Sequence, residues 1–143
     1  MEIRRAEIGD AKVIYKLSLQ LGYLSNLEVT ESNIERMLSL SDYDLVVATD
    51  ESHQVIGWMS LLIRCRIEDL PFLEVAALVV DETARGKGAG KLLMSYATSF
   101  AQKHRLSFVG LYSNKNRSHA NSFYESIGYS KAKESFFFKK EVK

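Results

Sequence analysis

Three glycines at every second position, Gly86, Gly88 and Gly90, stand between an apolar run, Leu78-Val79-Val80, and an amphipathic run from Gly88 to His104. This corner constrains the fold more than any other feature of the chain. The apolar run reads as a strand. In the second run Leu92, Leu93, Tyr96, Ala97, Phe100 and Ala101 recur at steps of one, three and four, which is one face of a helix. A strand-to-helix corner aims successive backbone N–H groups, and the positive end of the helix dipole, at one spot. Arg85, Lys87 and Lys91 add positive charge there. A phosphate or pyrophosphate suits such a corner. A plain connecting turn needs neither three glycines nor three cations.

The spacing excludes two familiar phosphate loops. Counting back from Gly90-Lys91, the first glycine of a P-loop would fall at Arg85, and Leu92 stands where a magnesium-binding hydroxyl would be. Gly86 and Gly88 fit a dinucleotide fingerprint, but its third glycine would be Lys91.

Around the corner the pattern alternates. Glu2 to Ile8 reads as a strand, and Asp10 supplies an N-cap for a helix carrying Ile14, Leu17 and Leu21, ended by Gly22. Thr30 opens a second helix with Ile34, Met37 and Leu38. Tyr43–Thr49 and Gln54–Arg64 form a hairpin about the turn 50–53, and Phe72 to Val80 is a further strand. Leu106 to Tyr112 is a strand, Asn116 or Arg117 to Ile127 a helix closed by Gly128, and Ser135 to Lys139 a last strand. The order β-α-α-β-β-β-α-β-α-β predicts one α/β domain over 1–143. Its mixed sheet is parallel near the corner, antiparallel at the hairpin, and carries helices on both faces.

Composition removes several function classes. With 143 residues, 46% hydrophobic and 26% charged, the chain is long enough for one core without a staple. A formal charge of +1, with the basic residues scattered, offers nucleic acid no broad field, and no helix-turn-helix with a basic recognition helix is visible. No apolar run approaches the ~18 residues of a membrane span. The N-terminus lacks a signal peptide's apolar stretch. One cysteine, Cys65, allows no intrachain disulfide, and the expected setting is the cytoplasm. His53, His104 and His119 have no metal-ligand spacing, so no metal is expected.

Two blocks carry a resemblance. Arg85-Gly86-Lys87-Gly88-Ala89-Gly90 follows a strand, and Ala120-Asn121-Ser122-Phe123-Tyr124-Glu125-Ser126-Ile127-Gly128-Tyr129 follows later. In these blocks, and in the order of its elements, the chain resembles the GNAT superfamily of acetyl-CoA-dependent N-acetyltransferases. Val79-Val80-Asp81 and Ser113-Asn114 are similar to the branch with aminoglycoside and aminoalkylphosphonate acetyltransferases. The resemblance implies the GNAT fold and acetyl-CoA as cosubstrate. It also implies that the strand before the loop splays from its neighbour and leaves a gap for pantetheine along the backbone of Leu78, Val79 and Val80. The pyrophosphate would then take N–H bonds from Gly86 to Gly90.

The resemblance also assigns chemistry. Transfer to an amine needs a proton acceptor, and Glu74, four residues before Leu78, is the candidate base. Strict alternation would place Glu74, Ala76 and Leu78 on one face. Tyr124 is the candidate acid for the CoA thiolate. Asn116, Ala120 and Tyr124, spaced by four, would share a helix face. Asn114 or Asn116 would hydrogen-bond pantetheine, or cap the helix. The expected reaction is direct transfer to a primary amine of a small molecule in a ternary complex, with Cys65 structural. Alternatives are an acyl-CoA sensor without catalysis, and an acetyltransferase acting on protein lysines or N-termini. Tyr23, Glu28, Arg64, Arg66, Glu68 and Asp69 are acceptor contacts or ordinary solvated loop. Phe136, Phe137 and Phe138 suit a homodimer interface or equally the core of one chain.

Overall fold

The computed structural model describes residues 1–142. Two compact units divide the chain, Met1–Tyr112 and Ser113–Lys143.

The first unit holds a five-stranded sheet in the order β1-β2-β3-β4-β5, with β1 at Glu2–Arg5, β2 at Tyr43–Thr49, β3 at Val55–Arg64, β4 at Phe72–Val80 and β5 at Val109–Leu111. The first four strands pair antiparallel, while β4 and β5 pair parallel. The β2–β3 turn is tied by Asp50, whose Oδ1 accepts from the N–H groups of Ser52 and Gln54 at 2.8 and 3.0 Å.

Helices cover both faces. Helices α1 (Ala11–Leu19) and α2 (Leu27–Ser39) bury Ile14, Leu17 and Ile34 in one core with Leu45, Val47, Trp58 and Val79. Helix α3 (Ala89–Lys103) buries Ala89, Leu93, Met94, Ala97 and Ala101. It lies on the opposite face, where Gly57 leaves room for it. A Cβ at Gly57 would stand 3.4 Å from Leu93 Cδ1 and only 2.9 Å from the Val79 carbonyl oxygen. The Tyr96 hydroxyl of α3 donates to Asp44 Oδ2 at 2.7 Å, joining the helix to β2. Burial, with that bond, pushes the phenol well above its ordinary range.

Several expected boundaries move. The first strand stops at Arg5, and a 3₁₀ turn, Ile8–Asp10, leads into α1. Asp10 precedes α1 but makes no capping bond to it. Its carboxylate instead takes both terminal nitrogens of Arg4, at 2.8 and 2.9 Å, and the Glu7 N–H at 2.8 Å. Helix α2 starts three residues before Thr30, because Asn26 caps it through the Val29 N–H at 2.8 Å.

The second unit contains helix α4, Ser118–Ser126. Gly128, at φ +102°, ends it in the left-handed conformation as expected. The strand expected over 135–139 does not form. Phe136, Phe137 and Phe138 are 88%, 91% and 90% exposed, so they do not fill the core of one chain. Aromatic content favours a strand only where a neighbouring strand accepts its backbone and side chains.

Candidate active site

Strand β4 carries the decisive irregularity. Ser60 pairs with Ala77, but the next β3 residue, Leu61, pairs with Val75. Ala76 is therefore an extra residue, a β-bulge, and it is exposed. The pairing of β4 with β5 covers only Leu73–Val109, Glu74–Gly110 and Val75–Leu111. Among the described residues no strand pairs with β4 on that side from Ala76 to Val80. The strand thus opens an edge of backbone groups immediately before the glycine loop.

The bulge also resets which way side chains face. Trp58 and Val79 are partners in the core beneath α1 and α2, and Ser60–Ala77 is the next pair on that face. Past the bulge the next such pair is Leu62–Glu74. Glu74 therefore shares its face with Ala77 and Val79. The expected grouping of Glu74, Ala76 and Leu78 fails, because strict alternation does not survive an inserted residue. Leu78, opposite Met59, and Val80, opposite Gly57, lie on the α3 face. The Glu74 side chain is 13% exposed, and its Oε1 stands 4.0 Å from Arg64 Nε.

The loop follows from local chemistry. Asp81 caps a short 3₁₀ turn, Glu82–Ala84, by accepting from the N–H and hydroxyl of Thr83, both at 3.0 Å. The backbone bond from Thr83 holds the Asp81 carboxyl below its ordinary range. Gln20, just past α1, reaches this turn: its Oε1 accepts from the Glu82 N–H at 2.9 Å. No local pattern marks Gln20, which lies 62 residues from its partner. The pattern Asp81-x-Thr83 was a readable turn signal.

Gly86 and Gly88 have φ of +77° and +94°, conformations costly for any residue with a Cβ. Space in front of Gly86 is open: a Cβ there would meet nothing within 4 Å. The Leu92 N–H closes the first turn of α3 on the Gly88 carbonyl at 2.9 Å. Ahead of it the N–H groups of Ala89, Gly90 and Lys91 have no intrahelical acceptor. Ala89 is buried at 1% exposure, so bulk there would displace the helix start. Lys87 and Lys91 are exposed, whereas Arg85 Nε turns back to the Val80 carbonyl at 3.3 Å. A shallow hollow of about 420 Å³ adjoins the helix start, lined by Met1, Gly88, Lys91, Leu92 and Ser95.

In the second unit, Asn114 Oδ1 accepts from the Asn116 N–H at 2.9 Å, and the Asn114 carbonyl accepts from Asn121 Nδ2 at 3.2 Å. Asn116 lies before α4, so it does not share a helical face with Ala120 and Tyr124 as expected. The Asx turn at Asn114 delays the helix. Tyr124 is half-buried and meets the rings of Phe123 and Tyr129 edge-on, at 5.3 and 6.3 Å between centroids. Cys65 is free and exposed. Among the described residues no group of three or more His, Cys, Asp or Glu could hold a metal ion, and no helix is long and apolar enough to cross a membrane.

Comparison with known proteins decides the family. The family model described as Acetyltransferase (GNAT) domain matches residues 41–131, which include the bulged strand, the glycine loop and α4. The chain belongs to the GNAT acetyltransferase family. It is 30% identical over 129 residues to an uncharacterized N-acetyltransferase, YhdJ, of Bacillus subtilis, covering 90% of this chain and 89% of that protein. Solved GNAT structures share the fold. The aminoglycoside antibiotic 6'-N-acetyltransferase AAC(6')-IG of Acinetobacter haemolyticus superposes with a TM-score of 0.84 at 17% identity, over 100% of both chains. The aminoglycoside N-acetyltransferase AAC(6')-Iy, solved in complex with CoA, gives 0.83 at 14% identity, over 99% of this chain and 100% of that one. This GNAT chain is an acetyl-CoA-dependent acyltransferase, and its mixed sheet is the acyl-CoA N-acyltransferase fold.

Proposed function

We propose that residues 1–143 act as one catalytic domain that moves an acetyl group from acetyl-CoA directly to a primary amine of a small molecule, in the cytoplasm. The open backbone edge of β4 past the Ala76 bulge, running into the glycine loop, carries this reading. The edge at Leu78, Val79 and Val80 suits the amide groups of pantetheine. The N–H groups from Arg85 to Gly90 suit the pyrophosphate, and Asn114 or Asn116 adds a hydrogen bond to the pantetheine arm.

An alkylammonium must lose a proton before it can attack. Glu74 takes that proton, directly or through a water. The amine nitrogen then bonds to the thioester carbonyl carbon. The C–S bond breaks, its electron pair stays on sulfur, and the Tyr124 hydroxyl protonates the thiolate. The second proton lost by the nitrogen leaves to solvent, and solvent restores Tyr124. The neighbours of known acceptor act on aminoglycosides, which supports a small-molecule amine.

Release of free CoA thiol from acetyl-CoA, measured against a panel of amines, tests the reading. Glu74→Gln should lower kcat about 10²–10⁴-fold, as loss of a general base does. Tyr124→Phe should lower kcat while leaving the Kd for CoA within about threefold. A chain that binds CoA calorimetrically but releases no thiol, whichever amine is offered, would be a sensor. Full turnover in Cys65→Ser is expected for direct transfer; its loss would point to an acetyl-cysteine intermediate.

A further inference from the structure

Glu74 has charged and aromatic company on its sheet face. Arg64 pairs with Phe72 two residues further along, on the same side as Leu62 and Glu74. At 4.0 Å the Arg64–Glu74 contact is too long for a hydrogen bond. The two groups attract, yet neither saturates the other. Arg64 is 39% exposed and Glu74 is 13% exposed, so both can be reached. Arg66 lies 5.2 Å over the Phe72 ring and donates to the Tyr112 hydroxyl at 3.3 Å. Phe72 stacks on Phe108 with centroids 4.5 Å apart and planes 10° apart. Gly110, the β5 partner of Glu74, puts no side chain between the carboxylate and this aromatic shelf. All these residues belong to the unit Met1–Tyr112.

We infer that the acceptor amine carries an acidic group of its own, the ammonium facing Glu74 and the carboxylate, phosphonate or phosphate facing Arg64, with Arg66 beside it. This rests on the assignment of Glu74 as the amine's proton acceptor. A zwitterion of that shape replaces one stretched ion pair with two close ones, each able to hydrogen-bond. A polycation does the opposite, since its second ammonium meets Arg64 or Arg66. Glu68 also bears on Arg66, from an exposed position in the turn between β3 and β4. The chain thereby parts from the aminoglycoside enzymes whose fold it shares.

The test uses the full chain, acetyl-CoA and matched acceptors: 4-aminobutyrate against its methyl ester, 2-aminoethylphosphonate against its diethyl ester, and spermidine and an aminoglycoside as polycations. We expect kcat/KM at least tenfold higher for an acid than for its ester, with the polycations below both. Arg64→Gln should shrink the acid-to-ester ratio at least tenfold, mainly through KM, and Arg64→Lys should restore part of it. Preference for esters or polycations overturns the inference. So does an unchanged ratio in Arg64→Gln. If that variant folds poorly, the ratio of the unmodified chain decides alone. Failure of every amine to release thiol, despite CoA binding, would bring down the transfer assignment itself and this inference with it.

Discussion

The Asp10 carboxylate accepts hydrogen bonds from both terminal nitrogens of Arg4 and from the Glu7 N–H. The Arg4 hydrogen bonds hold the Asp10 carboxyl below its ordinary range, against the opposing effect of burial. A lowered folded pKa means that the unfolded chain binds more protons in acid. The stabilisation is thus fully present above the unfolded value of about 3.9 and is lost as pH falls through the folded one. Asp10→Asn should cost about 1–2 kcal/mol at pH 7. That difference should narrow below about pH 4, which urea titrations at pH 7 and pH 3 would show. The sequence offers Asp10 as a cap for α1, yet its carboxylate makes no capping bond to that helix; Glu74 differs. Its identity as the carboxylate on β4 was legible, but its face was not, because one unpaired alanine turned the register over.

Among the elements, β2, β4 and α3 were almost fully legible. Each is long, strongly patterned and bounded by its own signals: Asp50 after β2, Pro71 before β4, Gly88 before α3. The shorter elements were not. β5 shrinks to three residues since only that stretch finds β4 in register, and the expected strand over 135–139 has no pairing at all. Gly57 marks a further decision made between elements. A side chain there would press on the Val79 carbonyl, part of a neighbouring strand that cannot move aside cheaply. Gly57→Ala should destabilise the fold by about 1–3 kcal/mol, measured by urea unfolding. A change under 0.5 kcal/mol would mean that β3 and β4 yield more easily than this contact implies.

At the scale of the whole molecule, the prediction concerns ligand linkage. Anything that binds only the folded chain raises its stability, by about 2.7 kcal/mol at one hundred times Kd. For a chain of this size that is a rise in Tm of roughly 5–11 °C, readable by scanning fluorimetry with CoA. Absence of any shift at millimolar CoA would contradict the phosphate-binding role of the glycine corner. What the sequence determined by itself was set within a few residues: the helix stripes, the turn between β2 and β3, and a glycine corner whose spacing fits neither a P-loop nor a dinucleotide fingerprint. Tertiary structure alone decided the Ala76 bulge, the face of Glu74, its approach to Arg64 and the reach of Gln20 to Glu82. Those depend on which strand lies beside which and in what register. Register is a property of paired chains, and no local pattern encodes where a pairing slips by one residue.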